Sequence, residues 1–443
     1  MENINIVLLS GGSGKRLWPL SNDIRSKQFI RMFRNEDGEM ESMLMRVYRQ
    51  IHQVMPQATV TIATSRKQVS SIRNQLGDQV HICVEPERRD TFPAICLAAA
   101  YLRDVRKLGG EQPVVVCPVD PYVEESYFEA VKELAQMASE GESRLSLMGI
   151  EPTYPSEKYG YILPRDGERV SEVRGFREKP DEETAREYIR QGSLWNGGIF
   201  AFRLGYLLER AHQLLDFADY QDLYDRYGEQ KKISFDYAVV EKEKDIKVLR
   251  YQGQWKDLGS WNTFTEGMAA QSIGKVTMDH TCNNTHVINE LNIPILCMGC
   301  RDLVVAASAD GILVSDKEQS SYMKPFVEEI QQQVMYAEKS WGSFTVLDVQ
   351  EESMTIKVLL RQGNRLHYHS HEHRDEVWTV ANGQGRVVLD GVERQVGSGD
   401  VIRMPAGCKH TIIADTSLQV IEVQLGREIS VEDKQKWKLT GIS

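Results

Sequence analysis

Hydrophobic and polar positions follow two regimes along this chain. Up to about residue 268, apolar runs at 4–9, 60–63, 81–84, 114–119 and 145–150 are separated by segments with helical spacing, such as 94–107 and 127–138. Short continuous apolar runs suit strands buried on both faces. Their alternation with helices predicts a Rossmann-like α/β domain, a mostly parallel sheet with helices on both faces. A ligand of such a sheet belongs outside the carboxyl ends of its strands.

The second regime begins near Gly274. Short strands are predicted at 285–289, 293–298, 303–307 and 311–315, forming a β-rich connector with one or two coils of a β-helix. A linker helix is predicted over 322–335. After Trp341-Gly342 the pattern is all-β, with strands at 355–360, 377–380, 385–389, 401–404, 410–413 and 418–424 between Gly, Asn and Asp turns. A small jelly roll fits this spacing. The charged end, 430–439, reads as a surface helix. The expected domains are 1–270, 271–335 and 336–443.

Composition narrows the function. The 443 residues carry 53 Lys+Arg against 64 Asp+Glu, a net charge of −11. That excludes general nucleic-acid binding, although local basic residues can still hold a phosphorylated small molecule. No apolar run approaches the ~18 residues of a membrane span, and the N-terminus lacks a signal-peptide pattern. Seven cysteines, an odd number, point to reduced thiols and a cytoplasmic protein. Cys297 and Cys300 form a lone CxxC, read as core packing.

Candidate chemistry starts at 8–21, LLSGGSGKRLWPLS. An apolar run meets a glycine-rich turn, and Gly11 and Gly12 let backbone N–H groups converge on an anion. Lys15 and Arg16 add charge where phosphates would sit. The spacing is neither G-x-x-x-x-G-K-[ST] nor G-x-G-x-x-G. Lys27 follows the loop and is in reach of a triphosphate. Glu85 and Arg89 follow a strand end, where nucleotide contacts are expected. Asp120 lies at another strand end and Asp257 lies in WKDLGSW (255–261). Two carboxylates brought together suit Mg²⁺, a hard cation. Lys179 can neutralise a second phosphate. Each also has a plain structural reading: Asp120 as a helix cap, Lys179 as a solvated lysine, Trp255 as core.

A second candidate site lies near the C-terminus. Histidines stand at 367, 369, 371 and 373, on one face if a single strand carries them. The spacing Gly363-x5-His369-x-His371-x4-Glu376-x6-Gly383 is the first cupin motif, and Gly399-x5-Pro405-x-Gly407-x2-His410 matches most of the second. His369, His371, Glu376 and His410 then make a three-nitrogen, one-oxygen site for Zn²⁺ or a similar divalent transition metal. His373 can replace His369 in an alternative set; otherwise His367 and His373 line the pocket.

The order of LLSGGSGKRLWPLS, KQF (27–29), VEPERRDTFPAI (84–95), EPTYPSEKYGYI (151–162), REKP (177–180), WNGGIF (195–200), SFDYAVVE (234–241) and WKDLGSW resembles the sugar-phosphate nucleotidyltransferases. Among these it is most similar to the mannose-1-phosphate guanylyltransferases. WGSF (341–344), HEHRDEVW (371–378) and IEVQ (421–424) resemble the isomerase half of bifunctional mannose-6-phosphate isomerase/mannose-1-phosphate guanylyltransferases. The resemblance implies a nucleotidyltransferase fold and synthesis of GDP-mannose and pyrophosphate from GTP and mannose 1-phosphate. It implies Gly11, Gly12, Arg16 and Lys27 on the triphosphate, Asp120 and Asp257 on Mg²⁺, and Lys179 on the sugar phosphate. Gly160, Glu178 and Asn196 fall on the sugar, and Glu85 and Arg89 near the base. A homo-oligomer is expected. The alternatives are another nucleotide or sugar 1-phosphate with a non-catalytic cupin, or a nucleotide-sugar-binding regulator.

Overall fold

Asn5–Ser10, five of whose six residues are buried, opens the sheet of the first folding unit. The computed structural model describes residues 4–11, 14–22, 24–330, 333–427, 429–430 and 433–439. The chain divides into two units, Met1–Ser13 with Gln28–Ala269 and Gly14–Lys27 with Ala270–Ser443.

The sheet of the first unit has nine strands: β1 Asn5–Ser10, β2 Thr59–Ser65, β3 His81–Glu85, β4 Pro113–Pro118, β5 Leu145–Ile150, β6 Tyr161–Pro164, β7 Val170–Arg177, β8 Leu194–Arg203 and β9 Ile246–Tyr251. Their order is β3-β2-β1-β4-β8-β5-β9-β7-β6. The apolar runs form its parallel part: β1 pairs in parallel with β2 and β4, and β2 with β3. β5 and β9 make a second parallel pair. Between the two, β8 runs antiparallel to β4 and β5. All six residues of β5 are buried, which is why its sequence is apolar without alternation save for Ser146, whose hydroxyl meets that of Ser143 at 3.0 Å.

Helix Thr91–Asp104 buries ten of its fourteen residues and is apolar on every side, as a core helix must be. It starts before 94 because the Asp90 carboxylate accepts the Thr91 N–H at 2.8 Å and caps it. Helix Glu125–Glu140 ends at Gly141, whose φ of 73° suits the left-handed closing turn. Pro121–Val123 and Trp255–Asp257 pair as a two-stranded antiparallel ribbon.

In the second unit, Ser272–Ile273, His286–Asn289 and Leu303–Ser308 stack in parallel, as do Val276–Met278 and Ile295–Cys297. This is the geometry of successive β-helix coils. Cys297 packs with Val287 and Val305, and Cys282 and Cys300 lie against them. All seven cysteines are free thiols. The segment 14–27 is held here. Ser308 donates to the Pro19 carbonyl and Asn22 to the Asp310 carboxylate, both at 2.7 Å. Arg25 makes a two-pronged ion pair with Glu290. Trp18 occupies the space where a Cβ on Gly311 would fall.

The helix expected over 322–335 is shorter, Lys324–Glu329. Backbone at Ile330 is extended, and Tyr336–Lys339 is already a strand. Residues 331 and 332 lie outside the described residues. Two sheets then form the jelly roll. The first runs Tyr336–Lys339, Gly342–Val349, Ser353–Leu360, Leu418–Leu425, Asp375–Asn382 and Val401–Met404. The second runs Val392–Gly397, Gln384–Leu389, His410–Ala414, His369–Ser370 and Gln435–Lys436. Trp378, Val380, Val387 and Ile412 lie in its core. The surface helix expected over 430–439 is absent among the described residues. Gln435–Lys436 instead pairs with His369–Ser370, and Trp437 donates to the Ser370 hydroxyl at 2.9 Å.

Candidate active site and metal centre

A cleft of roughly 320 Å³ opens at the carboxyl ends of β1 to β4, lined among others by Ser10, Gly11, Gln68, Glu85, Arg89 and Asp120. Gly12 lies outside the described residues. A buried network underlies the loop. Gln28 donates to the Ser10 hydroxyl at 3.0 Å, and Ser10 and Thr64 donate to the Gln68 side-chain Oε1 at 3.3 and 2.7 Å. Glu85 ends β3, and the Tyr227 hydroxyl donates to its Oε2 at 3.0 Å. Burial pushes the Glu85 carboxyl up, opposed by the Tyr227 hydroxyl and the Arg88 charge. Arg89 pairs with Glu87 at 2.8 Å and donates to the Gly228 carbonyl.

Asp257 stands across the ribbon from Pro121, the neighbour of Asp120. Both carboxylates act on one group. The Tyr159 hydroxyl is pushed above its ordinary range by burial, then by Asp257, Tyr154 and Asp120. The Tyr159 ring lies 4.9 Å from Trp195 and 5.4 Å from Trp255. Trp255 is thus half-buried against aromatic neighbours rather than in the core.

Gly160, Glu178 and Asn196 converge. Asn196 N–H donates to the Gly160 carbonyl at 2.8 Å. A Cβ on Gly160 would lie 2.5 Å from Glu178 Oε2 and 3.4 Å from Asn196 Cβ. Lys179 pairs with Glu178 at 2.5 Å; burial opposes its charge, but Glu178 leaves the ammonium raised. Asn196 Nδ2 donates to Asp236 Oδ1 at 2.6 Å. Asp236, pushed up to about 6 by burial and Glu178, was not singled out from the sequence, although SFDYAVVE contains it. Tyr227 and Gln68 carry no sequence signal of their own. Arg16 and Lys27 belong to the second unit. Arg16 is exposed on the turn Gly14–Leu17, and Lys27 is half-buried at the start of Lys27–Phe29.

In the cupin, His369, His371, Glu376 and His410 are buried, with one ligand atom from each lying within 4.8 Å of all the others. Each imidazole is oriented by a carbonyl. His369, His371 and His410 have Nδ1 at 2.6, 2.6 and 3.0 Å from the carbonyls of His367, Asp433 and Cys408. A carbonyl only accepts, so Nδ1 carries the proton and Nε2 keeps its lone pair. His410 Nε2 is buried without a hydrogen-bond partner, 3.2 Å from Glu376 Oε2. Two lone pairs face each other there, an arrangement that a cation between them relieves. Burial, followed by Lys434 and His410, pushes His369 down to about 2, so it is neutral. Buried Arg374 reaches His371 and Glu376 at 3.2 and 3.3 Å. The donor set fits a divalent transition metal.

His367 and His373 are exposed, so neither lines this centre and His373 does not replace His369. The strand is only His369–Ser370. The Asp433 carboxylate then accepts the N–H groups of Glu372 and His373 and turns the chain.

Residues 5–272 match the nucleotidyl transferase family and residues 327–438 the mannose-6-phosphate isomerase C-terminal family. The mannose-1-phosphate guanylyltransferase ManC of Salmonella typhimurium is 30% identical over 96% of each chain. The xanthan biosynthesis protein XanB of Xanthomonas campestris is 29% identical over 98% of each. A crystal structure from Thermus thermophilus, described as a mannose-1-phosphate geranyltransferase, superposes with a TM-score of 0.61 at 28% identity, covering 74% of this chain and 99% of that one. The chain belongs to the nucleotidyl transferase family, and within it to the mannose-1-phosphate guanylyltransferases that carry a C-terminal isomerase-type cupin. No helix among the described residues is long and apolar enough to cross a membrane.

Proposed function

We propose that the chain joins GTP and mannose 1-phosphate into GDP-mannose and pyrophosphate. A phosphate oxygen of the sugar 1-phosphate attacks the α-phosphorus, and the bond to the leaving pyrophosphate breaks. The nucleophile is already an anion, so positioning and charge neutralisation carry the catalysis. Gly11 and Gly12 cradle the triphosphate, with Arg16 and Lys27 as its cations; for Arg16 and Lys27 the support is the motif alone. Glu85 and Arg89 meet the base. Gly160, Glu178 and Asn196 frame the sugar, and Lys179 meets its phosphate. Asp120 and Asp257 would hold Mg²⁺, which when bound neutralises phosphate charge. The observation that carries this reading is the ribbon register that sets Asp257 across from Pro121, beside Asp120 at the edge of the cleft.

The test is pyrophosphate release with Mg²⁺ across four nucleoside triphosphates and a panel of sugar 1-phosphates. GTP with mannose 1-phosphate should be preferred, and Asp257→Asn should lower turnover at least a hundredfold. Preference for another pair keeps the chemistry and replaces the substrates. Binding without turnover for any pair makes the chain a nucleotide-sugar-binding regulator.

A second activity is favoured by the three histidines with Nε2 facing Glu376. We propose that the cupin binds a divalent transition metal and interconverts fructose 6-phosphate and mannose 6-phosphate. A bound metal would polarise the sugar oxygens. His369, His371, Glu376 and His410 would hold it, and Arg374 would offer a fixed positive charge. Direct measurement of mannose 6-phosphate formation tests this; a metal-loaded protein without it leaves the cupin a binding module.

A further inference from the structure

We infer that Tyr227 is a positioning residue for nucleobase selection, fixing the Glu85 carboxylate as a bidentate acceptor for the N1–H and 2-amino group of guanine. The inference rests on the proposed use of GTP and goes beyond it by naming what sets the choice of base.

An ionised carboxylate only accepts hydrogen bonds. Guanine presents two adjacent donors on its pairing edge. Adenine presents a lone pair at N1, and inosine lacks the 2-amino donor. A carboxylate at the end of β3 therefore accepts guanine and repels adenine, provided that it stays charged and does not rotate. Both conditions fall to Tyr227. Its side chain is fully buried in the core of the first unit, and its hydroxyl donates to Glu85 Oε2 at 3.0 Å. The same oxygen retains a second lone pair, so the tyrosine and the base can share it. The loop that carries Tyr227 also receives Arg89 on its Gly228 carbonyl. One short segment, Tyr227–Glu229, thus anchors both groups assigned to the base.

The surroundings make the tyrosine necessary. Burial disfavours the charged form of Glu85, and the Tyr227 hydroxyl and the Arg88 charge are what oppose it. The other titratable groups near it are the buried Cys83 thiol on the same strand and Glu87, Arg89 and Asp90 around the cleft. Loss of the hydroxyl leaves Arg88 alone against burial. The carboxyl then takes up a proton at a higher pH and becomes a donor toward guanine N1–H.

The experiment measures kcat and KM for GTP and ITP, with mannose 1-phosphate, between pH 6 and 8. In Tyr227→Phe, KM for GTP should rise about tenfold at the acid end of the range, the size of one hydrogen bond to a charged group, and recover as the pH rises. The kcat should stay within about twofold, and the GTP-over-ITP preference should fall with the same pH dependence. Equal changes for GTP and ITP at every pH would mean a merely structural tyrosine and overturn the inference. Glu85→Gln should erase the GTP-over-ITP preference at all pH values. If it keeps the preference, Glu85 does not read the base, whatever Tyr227 does. A wild-type protein that prefers another base overturns the GTP reading itself. Should Tyr227→Phe not fold, 3-fluorotyrosine at 227 keeps the shape and strengthens the donor. It should shift the pH midpoint of KM for GTP downward, and an unmoved midpoint refutes the role.

Discussion

Gly160→Ala adds a single carbon at the point where the sugar-site residues meet. That carbon would fall 2.5 Å from Glu178 Oε2, 2.9 Å from Phe176 Cζ and 3.4 Å from Asn196 Cβ. The φ of Gly160 is not positive, so alanine strains no backbone there and the effect is steric. The Glu178 carboxylate can move, but it is buried and paired with Lys179. The half-buried Phe176 ring on β7 must turn or shift as well. Overpacking of this kind costs about 1–3 kcal/mol. At about 2–4 °C per kcal/mol for a folding unit of this size, that lowers Tm by roughly 2–12 °C. Displacing Glu178 also moves the group assigned to the sugar and, through the ion pair, the lysine assigned to its phosphate. Misplacement of about 1 Å costs on the order of a hundredfold. In steady-state pyrophosphate-release assays, KM for mannose 1-phosphate should therefore rise ten- to a hundredfold. KM for GTP should stay within about twofold. An unchanged KM for the sugar phosphate in a variant with the lowered Tm would refute the placement of the sugar beside Gly160.

Asp236 gives a pH signature. Its folded pKa is raised from 3.8 to about 6. The stability it contributes is fully present below pH 3.8 and lost as the pH rises through about 6. Asp236→Asn should remove that loss, so Tm of the variant should gain on the wild type between pH 4 and 7; parallel Tm curves would reject the assignment. At the cupin, His371→Ala should strip the divalent metal, read by elemental analysis, and abolish any mannose 6-phosphate formation. Nucleotidyl transfer should stay within about twofold, and equal loss of both activities in a folded protein would defeat the two-site arrangement.

The parallel strands were legible because burial on both faces leaves few polar positions: 145–150 is apolar but for Ser146 and is β5. The grouping of His369, His371, Glu376 and His410 was legible because the spacing of a jelly roll fixes which positions point inward. What failed depended on contacts that sequence spacing does not carry. The run of histidines suggested one strand, but Asp433, sixty residues on, turns the chain at His373 and leaves two of the four outside. The charged tail suggested a helix, but the backbone of His369–Ser370 offered it a ladder to complete. Tyr227 looks like any core tyrosine, and only the fold shows which carboxylate its hydroxyl meets.

Gly14–Lys27 lies early in the chain yet packs in the second unit. The partners of Pro19, Asn22 and Arg25 come 289, 288 and 265 residues later. A ribosome adds about 5–20 residues per second. These three partners are therefore made on the order of ten seconds or more after the segment itself. A chain stopped near residue 270 would lack Glu290, Ser308 and Asp310, the partners of Arg25, Pro19 and Asn22. The order of synthesis thus makes the packing of segment 14–27 wait for the β-helix coils of its own unit.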